Sequence, residues 1–133
     1  MATVKLLEEA EAEAEADARL APLYAEIRKT LGTPFVPNLF KLMAHHPAYL
    51  ETTWNRYKAI MLAGKLDRRT KEIIALAVSA TNNCEYCVNA HTAVLKGLGL
   101  DDAAIVELMA VVDLYSGFNK FLDGLLVESD LKP

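Results

Sequence analysis

Helix-breaking and helix-capping residues divide this sequence into segments of helix-forming residues, and this division constrains the fold more than any other feature. Two prolines and a glycine interrupt the chain at Gly32–Pro37, and Asn82 and Asn83 interrupt it again between two apolar segments. Between the breaks, apolar residues recur at the spacing of a helix face. We therefore predict an all-α protein, folded as a compact single-domain bundle of about six helices.

The helices predicted from these breaks cover most of the chain. Thr3–Thr30 is rich in alanine, glutamate and leucine, and we expect it to be interrupted near Pro22. Its glutamate–alanine alternation has the period of a strand, but both residue types are good helix formers and poor strand formers. The other helices are expected at Asn38 to about His45, Pro47 to about Ala63, Arg68 to about Thr81, Cys84 to Leu98, and Asp102 to about Val127.

Charge and hydropathy exclude several classes of function. The 133 residues are 53% hydrophobic with a net charge of −4, so the chain can bury a core without disulfides but lacks the basic face that nucleic acids need. No uncharged apolar segment reaches the roughly 18 residues of a membrane span, and the acidic N-terminus does not resemble a signal peptide. We predict a cytoplasmic homo-oligomer that binds neither nucleic acid nor membrane.

The two cysteines stand three residues apart, at Cys84 and Cys87, and His91 follows four residues later. At the helical rotation per residue, the three side chains lie within about 60° of one another on one face. Asn82 and Asn83 break the preceding helix, so Cys84 lies at or near a helix N-terminus, where free N–H groups and the macrodipole favour a thiolate. In a reducing cytosol such a pair is more typical of catalysis or metal binding than of a structural disulfide.

Glu72 is the acidic residue that the preceding helix can present to His91. Two helices joined by a tight turn run antiparallel, which places position 72 level with about residues 91 to 95. A carboxylate there orients the imidazole to take a proton from Cys87. Inert buried cysteines and a zinc site are the alternatives. Because zinc needs four ligands and only Cys84, Cys87 and His91 are local, we predict no metal and no other cofactor.

Four further residues are candidates for lining a pocket at this centre. His45 and His46 precede Pro47 and would reach the cysteines if their loop folds over them, the alternative being a helix end with packed or exposed imidazoles. Tyr86 lies between the two cysteines. Asn119 lies within the apolar last helix, where a structural hydrogen bond is the alternative to a place in the pocket.

The spacing of Glu72, Cys84, Cys87 and His91 resembles the signature of the alkyl hydroperoxidase D-like (AhpD-like) group of the carboxymuconolactone decarboxylase superfamily. The resemblance covers about residues 20–125. It predicts an AhpD-like domain at residues 20–133, preceded by an acidic, helical or partly ordered extension at residues 1–19. It is also carried by Gly64-Lys65-Leu66 before the Glu72 helix, Tyr86 between the cysteines, Gly97 and Gly99 after the histidine, and the upstream segment Val36–Leu50.

This resemblance implies a thiol-dependent peroxidase of peroxiredoxin type that reduces alkyl hydroperoxides or hydrogen peroxide. Its electrons would come from a dithiol protein or small molecule, and its assembly would be a trimer or hexamer. Cys87 would be the peroxidatic cysteine and Cys84 the resolving one, with His91 and Glu72 as the proton relay. Some members carry a histidine where this chain has Tyr86, so the relay here is either shorter or uses the Tyr86 hydroxyl. The alternative is a small-molecule decarboxylase or isomerase using His91 and Glu72 as acid and base, but that branch works without the cysteine pair.

Overall fold

A computed structural model describes residues 1–15, 17–131 and 133 of the chain. Ala16 of the predicted extension and Lys132 of the predicted domain lie outside the described residues. The described part of the chain forms seven α-helices and no strand, which confirms the predicted all-α class. Contacts divide the chain into two units, Met1–Ala63 and Gly64–Pro133. None of the helices in the described ranges is long and apolar enough to cross a membrane.

The first unit is built around an aromatic centre. The indole of Trp54 is fully buried, stacks on Tyr57 at 5.2 Å between ring centroids, and meets the edge of Phe40 at 5.5 Å. Leucine and isoleucine side chains from the flanking helices complete this core. The four helices of the unit are α1 (Glu9–Ala14), α2 (Leu20–Leu31), α3 (Asn38–Met43) and α4 (Pro47–Met61).

The break that we expected near Pro22 lies elsewhere. Pro22 is in the first turn of α2, where a backbone N–H has no partner within the helix and its loss costs little. The interruption lies instead between α1 and α2. The acidic segment packs on α2, since Leu7 and Ala12 are buried and the Tyr24 hydroxyl donates to the carbonyl oxygen of Leu7 at 2.8 Å. Residues of the predicted extension therefore contribute to the core of this unit.

The second unit contains α5 (Arg68–Thr81), α6 (Glu85–Gly97) and α7 (Asp102–Gly124) around a core of Leu76, Leu95 and Leu100. Asp67 and Asp101 cap two of these helices, because their carboxylates accept hydrogen bonds from backbone N–H groups in the first turns of α5 and α7. Helix α7 continues unbroken through its internal glycine and ends three residues before the predicted boundary.

A tight turn joins α5 to α6 and positions the cysteines. Asn83 has a φ of +56°, in the left-handed region that asparagine tolerates better than most residues. The backbone N–H of Cys84 then donates to the carbonyl oxygen of Ser79 at 3.0 Å. This bond ties the start of α6 to the end of α5, so the two helices form an antiparallel hairpin.

Candidate active site

Cys84 is the N-cap residue of α6, as the break at the two asparagines predicted. Its sulfur accepts a hydrogen bond from the backbone N–H of Cys87, with an N–S distance of 3.4 Å. In most helices a serine, threonine or aspartate oxygen occupies this place. A sulfur that accepts such a bond at the positive end of a helix is better stabilised as a thiolate than as a thiol.

The two cysteine side chains move each other's pKa values in opposite directions. The pKa of Cys84 is lowered because its sulfur accepts hydrogen bonds from the Cys87 thiol and from the Cys87 backbone N–H. The pKa of Cys87 is raised by the same thiol–thiol bond, then by partial burial and by the charge on Cys84. The first negative charge of the pair is therefore favoured on Cys84.

Glu72 and His91 form an acid–base pair across the hairpin. The Nδ1 atom of His91 lies 2.7 Å from Oε2 of Glu72, so the register predicted from the tight turn is confirmed. Glu72 is 2% exposed, whereas the His91 side chain retains 25% of its exposure. Since an ionised carboxylate only accepts hydrogen bonds, Nδ1 carries the hydrogen and Nε2 is left to accept a proton.

Ser79 is a site residue that the sequence analysis missed. It is 8% exposed, its hydroxyl donates to the Ala75 carbonyl oxygen at 2.6 Å, and its own carbonyl oxygen accepts the backbone N–H of Cys84 at 3.0 Å. The signal was present in the sequence, because Glu72, Leu76 and Ser79 stand at the spacing of one helix face. They are also the three buried residues of α5. In the sequence, however, a single serine within an apolar helix gives no sign of a functional role.

The four remaining pocket candidates are distributed over the two units. Tyr86 is about half exposed on α6, and Asn119 is exposed on α7. His45 and His46 belong to the first unit, where Nε2 of His45 lies 2.7 Å from the Lys5 carbonyl oxygen. The Nδ1 atom of His46 accepts a hydrogen bond from the backbone N–H of the third residue of α4. A role of these four residues at the cysteines stays a prediction.

The arrangement on the hairpin combines two chemical capacities. A reduced dithiol can give up two electrons by forming a disulfide, and an imidazole held by a carboxylate can accept and return a proton. Within the part of the chain that the structure describes, no three histidine, cysteine or acidic side chains gather as metal ligands would. The hairpin therefore carries the groups that a thiol redox centre with its own proton carrier would use.

The model of the carboxymuconolactone decarboxylase family matches residues 47–127, which contain the whole α5–α6 hairpin. The chain belongs to this family. Within it the chain is AhpD-like, since the crystal structure of the alkylhydroperoxidase AhpD core from Rhodospirillum rubrum superposes with a TM-score of 0.90. That comparison has 36% sequence identity and covers 98% of this chain and 95% of the other. The family resemblance read from the four-residue signature is confirmed.

The curated relatives that this chain resembles are named for more than one activity. An AhpD alkyl hydroperoxide reductase of Methylobacterium is 34% identical over 75% of this chain and 61% of its own length. An alkyl hydroperoxide reductase of Mycobacterium tuberculosis is 33% identical over 67% of this chain and 25% of its own length. A (R)-2-haloacid dehalogenase of Pseudomonas putida is 32% identical over 86% of this chain and 37% of its own length. The chain thus spans less than two thirds of each of these relatives.

Proposed function

We propose that this protein is a thiol-dependent peroxidase that reduces alkyl hydroperoxides or hydrogen peroxide through a Cys84–Cys87 disulfide. The observation that carries the proposal is the hairpin itself, which holds the Cys84 sulfur on the backbone N–H of Cys87 and a Glu72–His91 pair on the same two helices. The names of the AhpD relatives support the same chemistry. A reducing compartment such as the cytoplasm suits the cycle, because the dithiol must be regenerated after each turnover.

The first step of the proposed cycle oxidises Cys87. Nε2 of His91 takes the proton of the Cys87 thiol, and the resulting thiolate attacks the terminal oxygen of the hydroperoxide. An S–O bond forms and the O–O bond breaks, which leaves a sulfenic acid on Cys87 and an alkoxide. The imidazolium of His91 returns the proton to the alkoxide, so an alcohol leaves, or water when the substrate is hydrogen peroxide.

The second step closes the disulfide. The Cys84 thiolate attacks the sulfur of the Cys87 sulfenic acid, an S–S bond forms, and the S–O bond breaks. The departing hydroxide and the proton that Cys84 released make a molecule of water. A dithiol donor, either a protein or a small molecule, then reduces the disulfide by thiol–disulfide exchange and returns two protons and two electrons to the pair.

The proton relay has a specific task in this scheme. The hydrogen bond between the thiols favours the first negative charge on Cys84, whereas the family resemblance makes Cys87 the cysteine that attacks the peroxide. A base that removes the proton of Cys87 overcomes this preference. His91, held by buried Glu72, is suited to that work, since it stands one helical turn after Cys87.

Counting free thiols during a peroxide titration tests the proposal. One equivalent of cumene hydroperoxide or hydrogen peroxide per reduced chain is expected to remove both thiols and to lower the mass by two hydrogens. Dithiothreitol should restore both thiols. The same chain in denaturant is the matched control, because its cysteines lack the helix cap and the relay. If the folded protein loses its thiols no faster than the denatured chain, the proposal is wrong.

We also propose that the protein is a homo-oligomer, with α7 in the interface. In the second half of α7 and at its C-cap, exposed apolar side chains recur at helical spacing and form a continuous apolar stripe. An apolar groove of about 370 Å³ between α5 and α7 shares Val111 with this stripe. Such a continuous apolar surface is typical of protein–protein interfaces. The stripe comprises Val111, Leu114, Tyr115, Phe118, Phe121, Leu122 and Leu125.

Replacing Phe118 with aspartate is expected to dissociate the assembly, because a charge at the centre of the stripe cannot be buried without a partner. Light scattering coupled to size exclusion should then report the 14.6 kDa single chain in place of a trimer or hexamer. Lys120→Asp is the control, since Lys120 lies on the same helix about 180° away from Val111. Equal masses for wild type and Phe118→Asp would show that this face is not the interface.

A further inference from the structure

Cys84 takes part in the ends of two helices at once. At the end of α5 its backbone N–H donates to the Ser79 carbonyl oxygen at 3.0 Å, and the N–H of Asn83 donates to the Ala80 carbonyl oxygen at 3.2 Å. This pair of bonds is the Schellman motif, which places a left-handed residue just after the helix, and Asn83 with its φ of +56° is that residue. Cys84 is also the N-cap of α6, so the two helices share one junction residue.

The direction of the Cys84 sulfur follows from this junction. The backbone N–H of Cys84 is fixed on α5, while its sulfur accepts the backbone N–H of Cys87 at 3.4 Å and so caps α6. The left-handed turn at Asn83 reverses the chain between these two bonds. With a negative φ in the helical region, the chain would instead continue along α5, and the sulfur would leave the first turn of α6. The backbone conformation of one residue therefore decides whether the cap forms.

We propose that Asn83 is a positioning residue, and that its left-handed backbone directs the Cys84 sulfur onto the N–H of Cys87 and holds it there as a thiolate. This inference rests on the proposed peroxidase function, in which that thiolate closes the disulfide. It agrees with the lowered pKa of Cys84, which the Cys87 side chain and then the Cys87 backbone N–H produce. Among the described residues, Cys87 is the titratable group that acts on this sulfur, and exposed Glu85 is the next charged group along α6.

Thiolate formation at Cys84 tests this role without using peroxide. The reduced protein is alkylated with iodoacetamide over a range of pH, and tandem mass spectrometry reports the rate at Cys84 separately from Cys87. In Asn83→Val the cap should open, because a β-branched residue strongly disfavours a positive φ. The midpoint for Cys84 is then expected to rise by about one pH unit, which lowers its alkylation rate near neutral pH about tenfold. Asn83→Gly should keep the wild-type midpoint, since glycine adopts a φ of +56° without steric cost.

Asn82→Val is the matched control, because Asn82 is exposed like Asn83 but has a φ of −89°, which valine adopts without that strain. It should leave the Cys84 midpoint unchanged. Thermal unfolding shows which variants are folded at the temperature of the assay. If the Asn83→Val protein does not fold, Asn83→Ala takes its place, because alanine is less strained at a positive φ and should raise the midpoint in the same direction by a smaller amount.

A Cys84 midpoint that rises with valine at position 83 but not with glycine supports the inference. An unchanged midpoint in folded Asn83→Val, or an equal rise in Asn82→Val, would overturn the role of Asn83 whatever the peroxide activity. A raised midpoint in Asn83→Gly would overturn it as well, since the amide side chain and not the backbone would then be responsible.

The reaction with peroxide separates this inference from the proposed function. In Asn83→Val the closing of the disulfide should slow about tenfold, because less of Cys84 is thiolate. A sulfenic acid should then accumulate on Cys87, and dimedone should capture more of it than in the wild type. If the midpoints follow the expected order but the wild type does not react with peroxide, the peroxidase proposal fails while the positioning of Cys84 by Asn83 stands.

Discussion

Cys87→Ser is expected to abolish the reaction with peroxide, lowering its rate about a thousandfold or more, because a serine hydroxyl at neutral pH is a far weaker nucleophile than a thiolate. Cys84→Ser is expected to react once and then stop, since the attacking sulfur is present but no second sulfur can close the disulfide. Its Cys87 should carry one added oxygen, which a sulfenic-acid trap such as dimedone captures. Rapid-mixing kinetics and intact-protein mass spectrometry measure both results.

The pair of serine variants also tests the order of the two cysteines. Cys84 is favoured as the first thiolate by its hydrogen bonds and its place at the helix N-terminus, so the opposite order is chemically reasonable. A trapped sulfenic acid on Cys84 in the Cys87→Ser protein, with no reaction in Cys84→Ser, would reverse the roles proposed above. The double serine variant tests the decarboxylase or isomerase alternative, because turnover of a small ring acid that survives in it cannot depend on thiols.

Glu72→Gln is expected to slow the peroxide reaction about a hundredfold at pH 7, the lower end of what a positioned proton carrier contributes. The amide keeps the size of the buried carboxylate and can still accept from Nδ1 of His91, but it lacks the charge that stabilises the imidazolium. Because solvent removes the thiol proton at high pH, the loss should shrink as the pH rises above the raised pKa of Cys87. A stopped-flow pH profile of both proteins measures this effect.

Glu13→Gln is a suitable control for this variant, since Glu13 is an exposed glutamate of α1 in the first unit. It removes the same charge from the chain and should leave the peroxide reaction unchanged. Thermal unfolding of both variants identifies any loss that comes from destabilisation, because Glu72 is buried and charge-paired. A Glu72→Gln protein that is folded and as fast as wild type at pH 7 would remove Glu72 from the relay.

Local chemistry made most of the fold predictable. The caps Asp67 and Asp101 and the break at the two asparagines act over one or two turns of chain, so the starts of α5, α6 and α7 could be read directly. Pro22 shows the limit of such reading. Proline breaks a helix interior but is accommodated in a first turn, and only packing of the acidic segment on α2 decided where that helix begins.

The cysteine pair was the part of the site that the sequence by itself determined. Residues three and four apart on one helix are neighbours, so Cys84, Cys87 and His91 share a face, and the break before Cys84 places it at a helix end. Glu72 was placed by assuming an antiparallel hairpin and by the family resemblance. Its 2.7 Å contact with His91 depends on how α5 packs against α6. Ser79 was missed because only the turn between α5 and α6 brings it to the site. Its carbonyl oxygen accepts the backbone N–H of Cys84 across that turn, whereas sequence spacing reports neighbours only within one helix.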